Sequence, residues 1–130
     1  MQLKVSSIAI FIGLKFSCIV SAAPNDSDFE PLAIVNIKCA AFYGAAQLLI
    51  KPDAKKEYES KSSAHYVLAS RFSSSYETVP KRIGEEVQLQ AIEALSLKDH
   101  TKVANFLSAN SIRCSSIELH SIAVINNATN

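Results

Sequence analysis

The sequence predicts an all-α fold, a small up-and-down bundle of about four helices whose first and last members are linked by a disulfide. Three observations carry this expectation. Apolar residues recur at spacings of three and four, no Asn-Gly or Asp-Gly hairpin pair occurs, and two distant cysteines, Cys39 and Cys114, lie in what reads as an exported domain.

Export rests on the first 22 residues, which have the form of a secretory signal peptide. Met1 to Lys4 is a short positive start, Val5 to Val20 is mainly apolar, and Val20-Ser21-Ala22 meets the small-residue rule for cleavage. Cleavage is expected after Ala22. Cleavage after Ala23 also satisfies the rule, but it would put the tertiary amide of Pro24 at the first mature position. Lys15 interrupts the apolar stretch and keeps an uncleaved anchor as the competing reading, at a cost of about 2.5 to 3.5 kcal/mol for a charge in mid-membrane. Cys18 lacks the leucine three places earlier that a lipoprotein signal requires, so it is expected to leave with the leader.

Of the 130 residues, 108 follow such a leader, a length suited to one domain spanning 23–130. Loss of the leader takes Lys4 and Lys15 from the 13 basic residues and leaves 11 against 12 acidic ones, close to neutrality. Nucleic acid is therefore not an expected partner, because it calls for a basic excess or stripe. An oxidising destination turns the remaining Cys39 and Cys114 into an expected disulfide closing a 74-residue loop, with a chain-entropy contribution of roughly 4 kcal/mol.

The first helix is expected to be capped by Asp28, with Glu30 and Pro31 in its first turn, and to continue through the apolar run Leu32 to Ile50 until Lys51-Pro52-Asp53. Asn36, Lys38 and Gln47 inside that run argue against a membrane span and for the central helix of a bundle, so no stable insertion is expected after leader cleavage. Small residues from Cys39 to Ala46 mark Ala40, Tyr43, Gly44 and Gln47 as a face for close helix packing or self-association.

Asp53 is expected to cap a second helix with a stripe through Tyr58, Ser62, His65, Ala69, Phe72, Tyr76 and Val79, ended by Pro80. A third helix runs from about Lys81 to Leu97. A break at Leu97 to Asp99 precedes a fourth helix from His100 through Cys114 towards Leu119. Ser121 to Ile125 is an apolar strip of undecided type, and Asn126 to Asn130 reads as a frayed polar tail.

Chemistry is sparse. His65, His100 and His120 share no i, i+3 or i+4 spacing, so no metal site is expected, and neither G-x-S-x-G, S-x-x-K nor a glycine-rich phosphate loop occurs. No catalytic residue and no cofactor is assigned. His65 fits a core histidine making one hydrogen bond. The aromatics fit core packing, and four tyrosines could also line a small groove. Asn25-Asp26-Ser27 and Asn127-Ala128-Thr129 match the glycosylation pattern.

The expectation that follows is a periplasmic or secreted protein that acts by binding a protein partner or itself, not by catalysis. A second expectation is an acid- or stress-activated chaperone: a small exported helical chain with one long-range disulfide resembles periplasmic acid chaperones in architecture, with no shared motif. A third is a small hydrolase or hydrolase inhibitor, which would need His65 or His120 within hydrogen-bond reach of a carboxylate and a serine.

Overall fold

A computed structural model describes residues 26–129, so the leader, Lys15, Cys18, the cleavage positions at Ala22 and Ala23, and Asn25 lie outside the described residues. Within them the chain forms four α-helices: α1 (Asp26–Ala45), α2 (Lys55–Phe72), α3 (Val79–Ser96) and α4 (His100–Thr129). Single 3-10 turns at Ala46–Leu48, Pro52–Ala54 and Tyr76–Thr78 shape the connections. No strand occurs among the described residues.

α1 is apolar or small on nearly every side, and it is the helix around which the others assemble. It packs most extensively on α2, then on α3, and along a narrower seam on α4. Ala33, Ile37, Cys39, Ala40, Ala41, Phe42, Tyr43, Ala45 and Ala46 are all buried. Its middle bears an aromatic cluster. The Phe42 ring lies 4.9 Å from Tyr43, 6.4 Å from Tyr58 of α2 and 5.6 Å from Phe106 of α4, mostly edge to face, an arrangement that adds to the area each ring removes from water. Two further clusters extend the core. Ala33, Leu68 and Phe72 take Phe29, Leu32, Val124 and Ile125 against them, while Ile37, Ala69 and Val79 take Ile83.

The disulfide joins Cys39 of α1 to Cys114 of α4, with Cα atoms 5.6 Å apart and both residues buried. It crosses the centre of the bundle at the edge of the aromatic cluster.

Several boundaries differ from the sequence expectation, each for a local reason. α1 begins at Asp26, ahead of the expected cap at Asp28, so Pro31 lies inside the helix, where it has no amide hydrogen to give the preceding turn. Asp53 sits in the 3-10 turn before α2, and the cap position belongs to Ala54, which makes no side-chain bond. α2 stops at Phe72 instead of running on to Val79. Ser73 turns extended, and the Ser75 amide donates to Ser73 Oγ at 3.1 Å, so the serine run offers the backbone an alternative to the helix. Tyr76 is consequently exposed, and Val79 is buried as the first residue of α3, with Pro80 harmless in its first turn.

The break at Leu97 to Asp99 falls where expected. Asp99 also caps α4, its carboxylate accepting the Thr101 amide hydrogen at 2.8 Å while its carbonyl accepts from Val103 at 3.0 Å. α4 then continues past Leu119, through the Ser121 to Ile125 strip and on to Thr129. Burial of Ser121 and packing of Val124 and Ile125 on Ala33, Leu68 and Phe72 carry it that far.

Two variants test this packing. Replacing Cys39 and Cys114 together by alanine is expected to lower the unfolding free energy by about 4 kcal/mol, read from the urea midpoint, because the cross-link spans 75 residues of sequence. At Gly44 an added Cβ would meet Val87 Cγ2 at 3.4 Å, an ordinary contact, so Gly44→Ala is expected to stabilise the chain by up to about 1 kcal/mol in the same assay.

Candidate functional site

Three polar side chains meet in the interior at the junction of α1, α2 and α4: Asn36, His65 and Ser121, none with measurable exposure. Asn36 is the hub. Its Nδ2 donates to the Leu32 carbonyl at 2.9 Å and to Ser121 Oγ at 2.9 Å, while its Oδ1 lies 2.7 Å from His65 Nδ1. A carboxamide oxygen only accepts, so His65 Nδ1 carries the hydrogen of the neutral ring and Nε2 carries the bare lone pair. Nε2 is buried without a hydrogen-bond partner among the described residues, and Glu118 Oε1 of α4 stands 4.0 Å away.

The face of the imidazole is covered by Tyr43, stacked with centroids 5.8 Å apart. Lys61, one turn earlier on α2, places its Nζ 6.0 Å from the Tyr43 centroid. Burial holds the His65 pKa below its ordinary value. Glu118 opposes that shift and Lys61 adds to it. Close by, burial raises the phenol of Tyr58, with Tyr43 and Glu57 contributing.

This group contains an imidazole, a carboxylate and a serine, the types a hydrolase would use, in an arrangement that does not activate the serine. Asn36 stands between His65 and Ser121, and the Ser121 hydroxyl oxygen accepts from the amide. His120 is exposed on α4, and no group of three or more His, Cys, Asp or Glu side chains suited to a metal ion occurs among the described residues.

The positions singled out for close packing or self-association are used inside the molecule. Ala40 and Tyr43 are buried, Gly44 is half-buried under Val87 of α3, and Gln47 folds back with its Nε2 3.5 Å from the Tyr43 carbonyl. The Ala40 carbonyl accepts the Ser62 hydroxyl of α2 at 2.8 Å.

A surface feature lies elsewhere. Ile34 and Lys38 of α1 are exposed one turn apart, Ile34 beside α3 and Lys38 where α3 and α4 both border it. Two open hollows of about 270 and 350 Å³ meet at the pair formed by Lys38 Nζ and Glu86 Oε2, 3.6 Å apart. The first is walled by Arg82, Glu85 and Leu89, the second by Gln90, Phe106, Asn110 and Arg113. Gln90 Nε2 donates to the Lys38 carbonyl at 3.0 Å, and Arg113 donates to Asn110 Oδ1 at 2.7 Å, which fixes the amides that line the second hollow. At one end Arg82 pairs with Glu30 at 2.8 Å, tying α3 to α1. Leu89, Ile92 and Leu95 stand exposed on the outer side of α3.

Compared with family models, curated proteins and solved structures, the chain matches none. Its own geometry therefore carries the functional reading.

The interior network makes two predictions. Asn36→Leu strands His65 Nδ1 and Ser121 Oγ in the core and is expected to cost about 2 to 4 kcal/mol by urea unfolding. Because folding lowers the His65 pKa, the unfolded chain binds more protons below the ordinary histidine value near 6.5. The His65 contribution is complete above that pH and is lost as pH falls toward the lowered value, by at most about 1.4 kcal/mol per pH unit. Unfolding curves between pH 7.5 and 5 are expected to show this loss in the parent chain and a smaller one in His65→Gln.

Proposed function

We propose that this chain is an exported, non-catalytic binding protein of an oxidising compartment, periplasmic or extracellular, and that it takes a polypeptide segment of a partner along the cleft between α3 and α4. In this reading the helices run up and down, and the Cys39–Cys114 cross-link keeps α4 at the distance from α3 that leaves the cleft open.

The observation that carries the proposal is the uncovered pair Ile34 and Lys38, one turn apart in the middle of a helix whose neighbouring Ala33, Asn36, Ile37 and Cys39 are buried. It is bordered by charges of both signs, by the fixed amides of Gln90 and Asn110, and by the apolar side chains Leu89 and Phe106. Such a mixture suits an extended peptide, whose carbonyls and amides need polar partners every few ångströms while its side chains seek apolar edges. The buried Asn36, His65 and Ser121 group favours binding over hydrolysis, because it is sealed from any substrate.

A second reading, an acid-activated chaperone, is favoured by one observation, the buried imidazole of His65 placed 4.0 Å from the Glu118 carboxylate across the contact of α2 with α4. Acid would act on that contact directly.

The proposal is tested with the mature protein and a fluorescently labelled, permanently unfolded chain, reduced and carboxymethylated α-lactalbumin, followed by anisotropy at pH 7. Saturable binding is expected, weakened about tenfold by the double substitution Leu89→Lys and Glu86→Lys, equivalent to about 1.4 kcal/mol. No saturable binding, or equal binding by the variant, would contradict the cleft assignment.

A further inference from the structure

The C-terminal half of α4 is attached to the bundle differently from its first half. Near the middle, Cys114 fixes the helix covalently to α1. One turn on, Glu118 faces His65, and two turns on Ser121 accepts from Asn36. Val124 and Ile125 then lie over Ala33, Leu68 and Phe72. Beyond the disulfide, the helix is thus held by Ile117 at the edge of the aromatic cluster, by one polar junction, and by the apolar contact of Val124 and Ile125. Its outer side is almost without charge, with Leu119 and Ile122 exposed.

We propose that α4 beyond Cys114 is an acid-released strap, closed by the His65, Asn36, Ser121 and Glu118 junction at neutral pH and opened when the buried His65 ring takes up a proton.

With Nδ1 committed to Asn36, an incoming proton has one place to go, the bare Nε2, which faces Glu118. The charged and titratable groups that face the ring are Glu118 from α4, Lys61 from its own helix and the Tyr43 phenol from α1. In the closed form the new imidazolium is buried, with the Glu118 carboxyl 4.0 Å from Nε2 as its one acidic neighbour and Lys61 as a like charge, so burial is only partly compensated. Swinging the strap away gives the imidazole water, and the open form then holds the proton more tightly than the closed one. Opening is therefore favoured by up to about tenfold for each pH unit below the ordinary histidine value. The disulfide confines the motion to residues after Cys114, and the motion uncovers Ala33, Leu68 and Phe72. This inference stands apart from the cleft reading, since its readout is the exposure of the chain's own amides; its link is to the acid-activated alternative, for which it would supply the apolar surface.

The experiment is hydrogen exchange with the disulfide intact, from pH 7 to pH 3, corrected for intrinsic rates. Protection of amides 117–125 is expected to fall by at least about tenfold as pH drops from about 6.5 to 3, with α1 amides 33–45 little changed. Glu118→Gln is expected to move that loss upward by about one pH unit, because the closed form then offers the imidazolium no acidic neighbour. His65→Gln, which keeps a donor for Asn36 and cannot charge, is expected to abolish it. Should His65→Gln fail to fold at pH 7 by circular dichroism, Glu118→Gln decides alone, its side chain being a third exposed. Equal loss of protection in all four helices, no loss at pH 3, or no shift in Glu118→Gln would each overturn the strap.

Discussion

Asn36 is the residue on which the arrangement of the helices turns. It lies in the most apolar stretch of the chain, where an unsatisfied carboxamide would cost several kcal/mol. Its two polar atoms are satisfied only when α1, α2 and α4 are all in register, through Leu32, Ser121 and His65. A rotation or slip of α2 or α4 would leave at least one buried group without a partner, so the amide selects one packing among the many that an almost uniformly small and apolar α1 would accept. Apolar burial supplies most of the stability, and the carboxamide supplies uniqueness.

The disulfide works on the same problem from the other side. α4 shares less surface with α1 than α2 and α3 do, and it is the longest helix in the molecule. Cys39 and Cys114 hold its middle against the aromatic cluster of Phe42, Tyr43, Tyr58 and Phe106. Covalent attachment at one point lets the rest of the contact remain modest. It also leaves room for the cleft over Lys38 and Glu86, which would close if α3 and α4 packed along their whole lengths.

Much of this architecture is written in the spacing of the residues. The central character of α1 and the break before His100 follow from composition and period, and the pairing of Cys39 with Cys114 follows from the expectation of export and of the loss of Cys18 with the leader. Helix ends are less legible: Tyr76 and Val79 continue the rhythm of α2 in sequence, yet the hydroxyls of Ser73 to Ser75 compete for the backbone and the helix ends at Phe72, four residues before Tyr76. The interior site was half legible. His65 reads as a core histidine with one hydrogen bond, whereas its partners are 29 residues away at Asn36 and on a helix whose continuation past Leu119 depends on tertiary contacts. A polar residue in each of two apolar segments, Asn36 and Ser121, was the available signal, but pairing across 85 residues needs the fold. The cleft left no pattern at all, since it arises from the divergence of two helices over a third.

The Asn36 carboxamide fixes His65 with its proton on Nδ1 and a bare Nε2 toward Glu118. Nitrogen-15 NMR of histidine-labelled protein, with the His65 signals assigned by comparison with His65→Gln, reads both features. A Nδ1–H tautomer at pH 7.5 that titrates below 6.5 is the result this structure requires. A Nε2–H tautomer, or a midpoint at or above the ordinary histidine value, would contradict it.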